Sequence, residues 1–137
     1  MKTIDMQQIR YLNLFVKITN VKTSHCFTYN NFVIFCVPKN MISRAIGENG
    51  KNVKQVSYMI GKRVKIIPNP EGIINLRKFI EAIVNPATFR ELEIKGNEII
   101  LIAGSQNKAI LIGRNKRRLI ELQKIVKDYF GKELRIK

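Results

Sequence analysis

Ala45-Ile46-Gly47-Glu48-Asn49-Gly50-Lys51-Asn52-Val53-Lys54 is the stretch whose reading decides the fold. At its centre stands a Gly-x-x-Gly loop. Alone that spacing says little, because glycine makes up about 7% of residues in ordinary proteins. The surroundings make it specific. Ala45-Ile46 ends an apolar helix that opens at Pro38, and Lys51 to Ile60 carries Val53, Val56 and Ile60 at helical spacing. Gly61 reads as a helix C-cap, and Val64-Lys65-Ile66-Ile67 as a strand. Such a loop lets backbone come close to a phosphodiester. The helix that follows offers free N–H groups and the positive end of its dipole. Apolar neighbours form a groove floor on which unstacked bases can lie.

The pattern recurs. Pro38 to Val53 lies over Gly104 to Leu119 at a constant offset of 66, which sets Gly47 on Gly113 and Asn49 on Asn115. Gly61-Lys62-Arg63-Val64-Lys65-Ile66 matches Gly131-Lys132-Glu133-Leu134-Arg135-Ile136 at an offset of 70. The change of about four residues is roughly one helical turn, so the second long helix gains a turn and keeps its face inward.

Reading outward, Asp5 caps a helix through Ile18 with Ile9, Leu12, Phe15 and Val16 on one face. His25 to Tyr29 and Phe32 to Val37 form a hairpin across Asn30-Asn31. Pro68-Asn69-Pro70 breaks the chain into a first domain, 1–69, and a second, 70–137. In the second, Glu71 to Val84 is a helix with Ile73, Leu76, Ile80 and Ile83 inward. Thr88 to Ile94 and Glu98 to Ala103 are strands joined at Lys95-Gly96-Asn97. Ser105 caps a helix through Ile112, Arg117 to Phe130 forms another, Gly131 caps it, and Glu133 to Ile136 is the last strand. Each half therefore reads α-β-β-α-α-β, an α+β fold class.

Charge points to the ligand. The chain has 25 basic and 10 acidic residues, a net charge of +15. The excess falls mainly in two blocks, +6 over residues 39–65 and +7 over 108–137, whereas 66–107 carries −1. Two separated anion-facing surfaces account for this more simply than a solvated face does. No run reaches the length of a membrane span, no signal peptide is legible, and the basic blocks lack the aromatic amphipathic pattern of membrane-surface helices. A cytoplasmic protein without a membrane partner is expected.

The remaining chemistry-bearing residues read as structural. Cys26 and Cys36 would point to opposite faces of the hairpin, so they are expected to be buried thiols without a disulfide. One histidine and two such cysteines do not make a metal site. His25 reads as a structural strand residue. Glu91, Glu93 and Glu98, flanked by Arg90 and Lys95, read as a solvated strand face rather than an acid–base pair. Phe27, Tyr29, Phe32 and Phe35 could stack bases, but core packing is the preferred reading. Tyr58 and Tyr129 read as partly buried helix residues. With no nucleophile–base set and no phosphate-binding Walker pattern, an enzyme, a cofactor and a small-molecule substrate are not expected.

Ala45 to Lys54 is close to the loop motif of the NusA family, and Gly61 to Ile66 to the strand that follows it there. Over nearly its whole length the chain resembles the archaeal members of that family. The resemblance implies two tandem type II KH modules, each with helices packed on a small three-stranded mixed sheet. It implies a non-enzymatic factor that binds single-stranded RNA in transcription elongation, termination or antitermination, with the transcription machinery as a further partner. Matching positions gives the roles. Gly47 and Gly50 set the loop around Glu48 and Asn49. Lys51 and Lys54 neutralise phosphate on either side of Asn52. Ile46 and Val53 line the groove, and Lys65 lies on the strand that flanks it. In the second half Ile112, Gly113 and Asn115 match, while Arg114, Lys116, Arg117 and Arg118 add charge.

Two departures from the motif shape the expectation. Glu48 puts a carboxylate where phosphate is to lie. Lys116 replaces the second glycine of the other loop, which removes backbone freedom and adds a cation. Close backbone contact is expected at the first loop and mostly electrostatic contact at the second. Two other readings stand beside this one: an RNA-binding factor in ribosome assembly or rRNA maturation, and an interaction subunit that docks a protein.

Overall fold

Asp5 starts the first helix. In the computed structural model, which describes residues 5–23 and 25–137, its side chain accepts a 2.7 Å hydrogen bond from the Gln8 amide, and the Gln8 side chain accepts one from the Asp5 amide. This capping box opens α1 (Met6–Thr19), which ends where Asn20 turns left-handed at φ 58°. Phe15 is its buried centre, with Tyr11, Leu12 and Ile18 packed around the same core. Ile9, expected on that face, is 46% exposed. It lies six residues from Phe15, roughly 120° round the helix, and so falls on the flank.

Strands β1 (His25–Tyr29) and β2 (Phe32–Val37) pair antiparallel in the expected register, with Cys26 opposite Phe35 and His25 opposite Cys36. Asn30 and Asn31 take φ of 51° and 65°, the two positive values that a two-residue turn of the favoured twist requires. Both cysteines are buried. After β2 a 3₁₀ turn at Lys39–Met41 leads into α2 (Ile42–Ile46), and the loop leads into α3 (Lys51–Ile60). Strand β3 (Arg63–Pro68) then lies parallel to β2, in the sheet order β1-β2-β3. Phe15 stacks on Phe35 with ring centroids 4.4 Å apart, and Val33, Val37, Ala45 and Val56 close the core around them. Burial of such side chains stabilises by about 1.5–3 kcal/mol each.

The chain divides between Pro70 and Glu71 into two compact units. In the second, α4 runs over Leu76–Val84 rather than from Glu71. Gly72, at φ 74° and ψ −175°, is not helical, and only a 3₁₀ turn at Ile73–Asn75 follows it. Leu76, Ile80 and Ile83 are buried as expected, but Ile73 is 42% exposed because it precedes the helix proper. The next strand, β4 (Glu91–Lys95), starts three residues later than expected, since a turn closed by the Ala87 amide on the Val84 carbonyl carries the chain first. β5 (Glu98–Ile102) pairs with it antiparallel and with β6 (Glu133–Ile136) parallel. Between them lie α5 (Ser105–Ile112) and α6 (Arg117–Phe130). Ser105 does not cap α5. The Lys108 amide donates to the Gly104 carbonyl at 2.8 Å, so the cap is Gly104 and the serine is the first helical residue.

Each unit thus holds a three-stranded mixed sheet with the element order α-β-β-α-α-β. That α+β architecture is compatible with a KH-like module. No helix among the described residues is long and apolar enough to cross a membrane.

Candidate nucleic-acid interface

The loop between α2 and α3 is held by its own backbone. The Gly47 amide donates to the Ser43 carbonyl at 3.0 Å, and the Gly50 amide to the Gly47 carbonyl at 3.1 Å. Gly47 sits at φ 81° and ψ 165°, a region open in practice to glycine alone. A Cβ there would lie 2.9 Å from the Asn52 amide nitrogen and 2.9 Å from Asn52 Cγ. Asn49 and Gly50 follow in the left-handed region, at φ 55° and 72°. Gly50 has room for a side chain, since a Cβ would meet only Lys54 Cε, at 3.8 Å. Glu48, Asn49, Lys51 and Lys54 are exposed on and beyond the loop, while Ile46, Asn52 and Val53 are half-buried at its base.

The second loop repeats this geometry. Gly113 takes φ 75° and ψ 172°, and Asn115 φ 56° and ψ 28°. Lys116, the residue expected to restrict the backbone, takes the left-handed conformation of Gly50 instead, at φ 60° and ψ 21°. Its amide donates to the Gly113 carbonyl at 3.2 Å, as that of Gly50 does to Gly47. Neither α3 nor α6 has a side-chain hydrogen bond capping its start, so the positive end of each dipole faces the loop. Arg114, Lys116 and Arg117 are exposed around it, and Ile112 is half-buried below.

Two of the expected contact residues have a structural task. Asn52 Nδ2 donates to the Arg44 carbonyl at 3.1 Å, tying the start of α3 back to α2. At the matching positions Arg118 Nη1 donates to the Ile110 carbonyl at 3.1 Å. The signal for this was the offset of 66, which puts 52 on 118 and 44 on 110. The identities of Asn and Arg hid their common role.

Beyond the first loop, Val53, Lys54, Ser57 and Tyr58 of α3, with Phe32 of β2 and Arg63 and Val64 of β3, line an open cavity of about 460 Å³. The structure differs from expectation here. Of the four strand aromatics, Phe27, Tyr29 and Phe35 are buried, but Phe32 is half-buried and lines the cavity. Tyr58, expected to be partly buried, is 84% exposed, because the inward face of α3 is taken by Val56 and Ile60. Arg63 Cζ and Lys65 Nζ lie 5.8 and 5.1 Å from the Phe32 ring centroid, within cation–π range. Burial lowers the Lys65 pKa from its ordinary 10.5, since desolvation disfavours the ammonium. Beside the second loop, Arg114, Asn115, Arg117, Ile120 and Glu121 line a cavity of similar size, about 460 Å³.

Of the hairpin carboxylates, Glu93 pairs with Lys95 at 3.6 Å and Glu98 with Arg135 at 3.1 Å. Among the described residues no three His, Cys, Asp or Glu side chains are grouped so as to hold a metal ion.

No family model matches the chain. Curated relatives do. It is 27% identical over 100 residues to the Probable transcription termination protein NusA of Methanococcus vannielii, covering 72% of this chain. It is 29% identical over 127 residues to the protein of that name from Methanocaldococcus jannaschii, covering 90% of this chain and 68% of the relative. It is 27% identical over 135 residues to that from Halococcus morrhuae, covering 92% of this chain and 95% of the relative. The match spans 56% of the length of the M. vannielii protein. A solved structure titled "Crystal structure of APE1850" shares the fold, with a TM-score of 0.68 over 98% of this chain and all of that one at 20% identity. Over most of its length the chain is thus similar to archaeal proteins named as probable NusA.

Proposed function

We propose that the chain is a non-enzymatic factor that binds single-stranded RNA in transcription, through two tandem type II KH modules over residues 1–69 and 70–137. The observation that carries this reading is the repeated loop. Two backbones with matching torsions each present an uncapped helix start between exposed cations. Anions favour such helix starts, and lysine and arginine around them add long-range attraction to a phosphate chain. Lys51 and Lys54 serve the first loop, and Arg114, Lys116 and Arg117 the second. The names of the relatives favour a role in transcription termination over one in rRNA maturation.

The test is direct binding. Fluorescence anisotropy with a labelled single-stranded RNA, its duplex and a double-stranded DNA of the same length should give the tightest binding to the single strand. Gly50→Asp, which places a carboxylate in the first loop at a position with space for it, should weaken that binding at unchanged thermal stability to within about 1 kcal/mol. Equal affinity for all three ligands, or no effect of the aspartate together with none from Lys51→Gln, would sink the reading.

A further inference from the structure

We propose that Tyr58, Phe32 and Arg63 form a stacking subsite for one unpaired RNA base, outside the Gly47 loop and confined to the first unit. The proposal rests on the RNA-binding reading above and adds a second contact to it. Tyr58 lies on the same face of α3 as Lys54 and Gly50, at successive steps of four residues, roughly 10 Å along the helix from Lys51. Lys54 joins the two places, since it borders both Gly50 and the cavity that Tyr58 lines. A strand gripped at the loop and running along α3 therefore passes this ring.

The chemistry of the cavity selects a nucleotide. Its wall offers two aromatic rings and two cations, Lys54 and Arg63, and no acidic side chain lines it. A tyrosine that is 84% exposed buries little of its apolar area, so packing gives no reason for an aromatic residue at position 58. A flat ring beside cations suits a base whose π face stacks while its phosphate meets the guanidinium. Arg63, which lines the cavity, lies within cation–π range of the Phe32 ring, as does Lys65 on the same strand.

The second unit supplies an internal comparison. Phe32 pairs with Arg63 across β2 and β3, and Glu98 pairs with Glu133 at the matching place across β5 and β6. Carboxylates thus replace both the ring and the cation. Glu98 is bonded to Arg135 at 3.1 Å and Glu133 to Lys127 at 2.8 Å. That corner thus carries ion pairs where the first unit carries a ring beside a cation. The two loops share a shape, but only the first continues into an aromatic site.

The test uses the whole chain and a single-stranded RNA oligomer carrying 2-aminopurine at one position at a time. At one position the fluorescence should be quenched by the wild type and by Tyr58→Phe, and not by Tyr58→Leu. Tyr58→Leu should bind about tenfold more weakly, in line with the loss of one stacked base. An oligomer abasic at that position should bind with the same loss and should no longer distinguish the wild type from Tyr58→Leu, which a merely structural role for the ring would not produce. If Tyr58→Leu and Arg63→Gln bind and quench like the wild type while Gly50→Asp binds weakly, the subsite is wrong and the RNA-binding reading stands. If the wild type does not bind the oligomer, both fall.

Discussion

Lys116 holds φ 60° and ψ 21°, the left-handed conformation that Gly50 holds at φ 72° and ψ 19°. Left-handed backbone costs a residue with a Cβ roughly 1–2 kcal/mol, and glycine returns part of that through its greater freedom when unfolded. Lys116→Gly should therefore stabilise the second unit by about 0.5–1 kcal/mol in urea unfolding. The same change removes a cation from the loop, so RNA affinity should fall while stability rises. A stability loss on Lys116→Gly would mean that the lysine side chain holds the loop.

The two glycines of the first loop should respond differently to a methyl group. At Gly47 a Cβ would stand 2.9 Å from the Asn52 amide nitrogen, which cannot move without shifting the start of α3. Gly47→Ala should cost about 1–3 kcal/mol and disorder the loop. At Gly50 only the flexible end of Lys54 is near, and Gly50→Ala should cost about 1 kcal/mol from backbone strain alone. Thermal unfolding of both variants checks the order. Equal losses would count against the close approach at Gly47.

Much of this was legible in the sequence because duplication leaves marks that composition does not. The repeat offset of 66 placed both loops, and the torsions of Asn49 and Asn115 agree to within a degree or so, at φ 55° and 56°. Hairpin register followed from Asn30-Asn31, since a tight turn leaves one pairing. What was missed lay at element ends and on surfaces. Ile9 and Ile73 carry the right hydrophobicity at places the helix does not turn inward, and periodicity alone does not say where a helix begins. Phe32 read as core and Tyr58 as partly buried because aromatic residues usually are. Only the neighbouring strand end and the inward face of α3 show that they border the groove. The ties made by Asn52 and Arg118 depend on a carbonyl eight residues back, which no motif records.

Those ties predict a loop that loosens without unfolding its module. Asn52→Ala and Arg118→Ala each remove one exposed hydrogen bond, worth about 0.5–1 kcal/mol. Amide exchange at residues 47–50 and 113–116 should speed up, while exchange in β2 and β5 stays slow. Arg118→Lys keeps the charge but not the reach of the guanidinium fork, so it should loosen the loop and leave the salt dependence of RNA binding intact. Unchanged exchange in the Asn52 variant would show that the backbone bonds suffice.

Salt should separate the charged residues around each loop. For a single-stranded ligand each phosphate neutralised adds about 0.7 to the slope of log affinity against log salt. Lys51→Gln and Lys54→Gln should each flatten that slope by about this amount. Glu48→Gln should do the opposite to affinity and raise it about two- to fivefold, since an exposed like-charge contact is worth up to about 1 kcal/mol. A weaker complex on Glu48→Gln would show that the carboxylate meets a donor on the RNA, not a phosphate.

Lys65 gives the protein an alkaline signature. Burial holds its folded-state pKa below the ordinary 10.5, so between the two values the unfolded chain binds more protons than the folded one. Stability contributed by this group should therefore rise with pH across that window, and Lys65→Met should remove the rise. RNA reverses the sign. A phosphate near the ammonium favours the charged form and draws the pKa back up, so binding at alkaline pH should take up a proton, and affinity should fall as pH climbs through the lowered value. Lys65→Arg keeps its charge throughout and should bind without that fall. Calorimetry in two buffers of different ionisation enthalpy reads the proton directly: uptake by the wild type and none by the arginine variant places the Lys65 ammonium at the RNA, whereas equal uptake by both places the titrating group elsewhere.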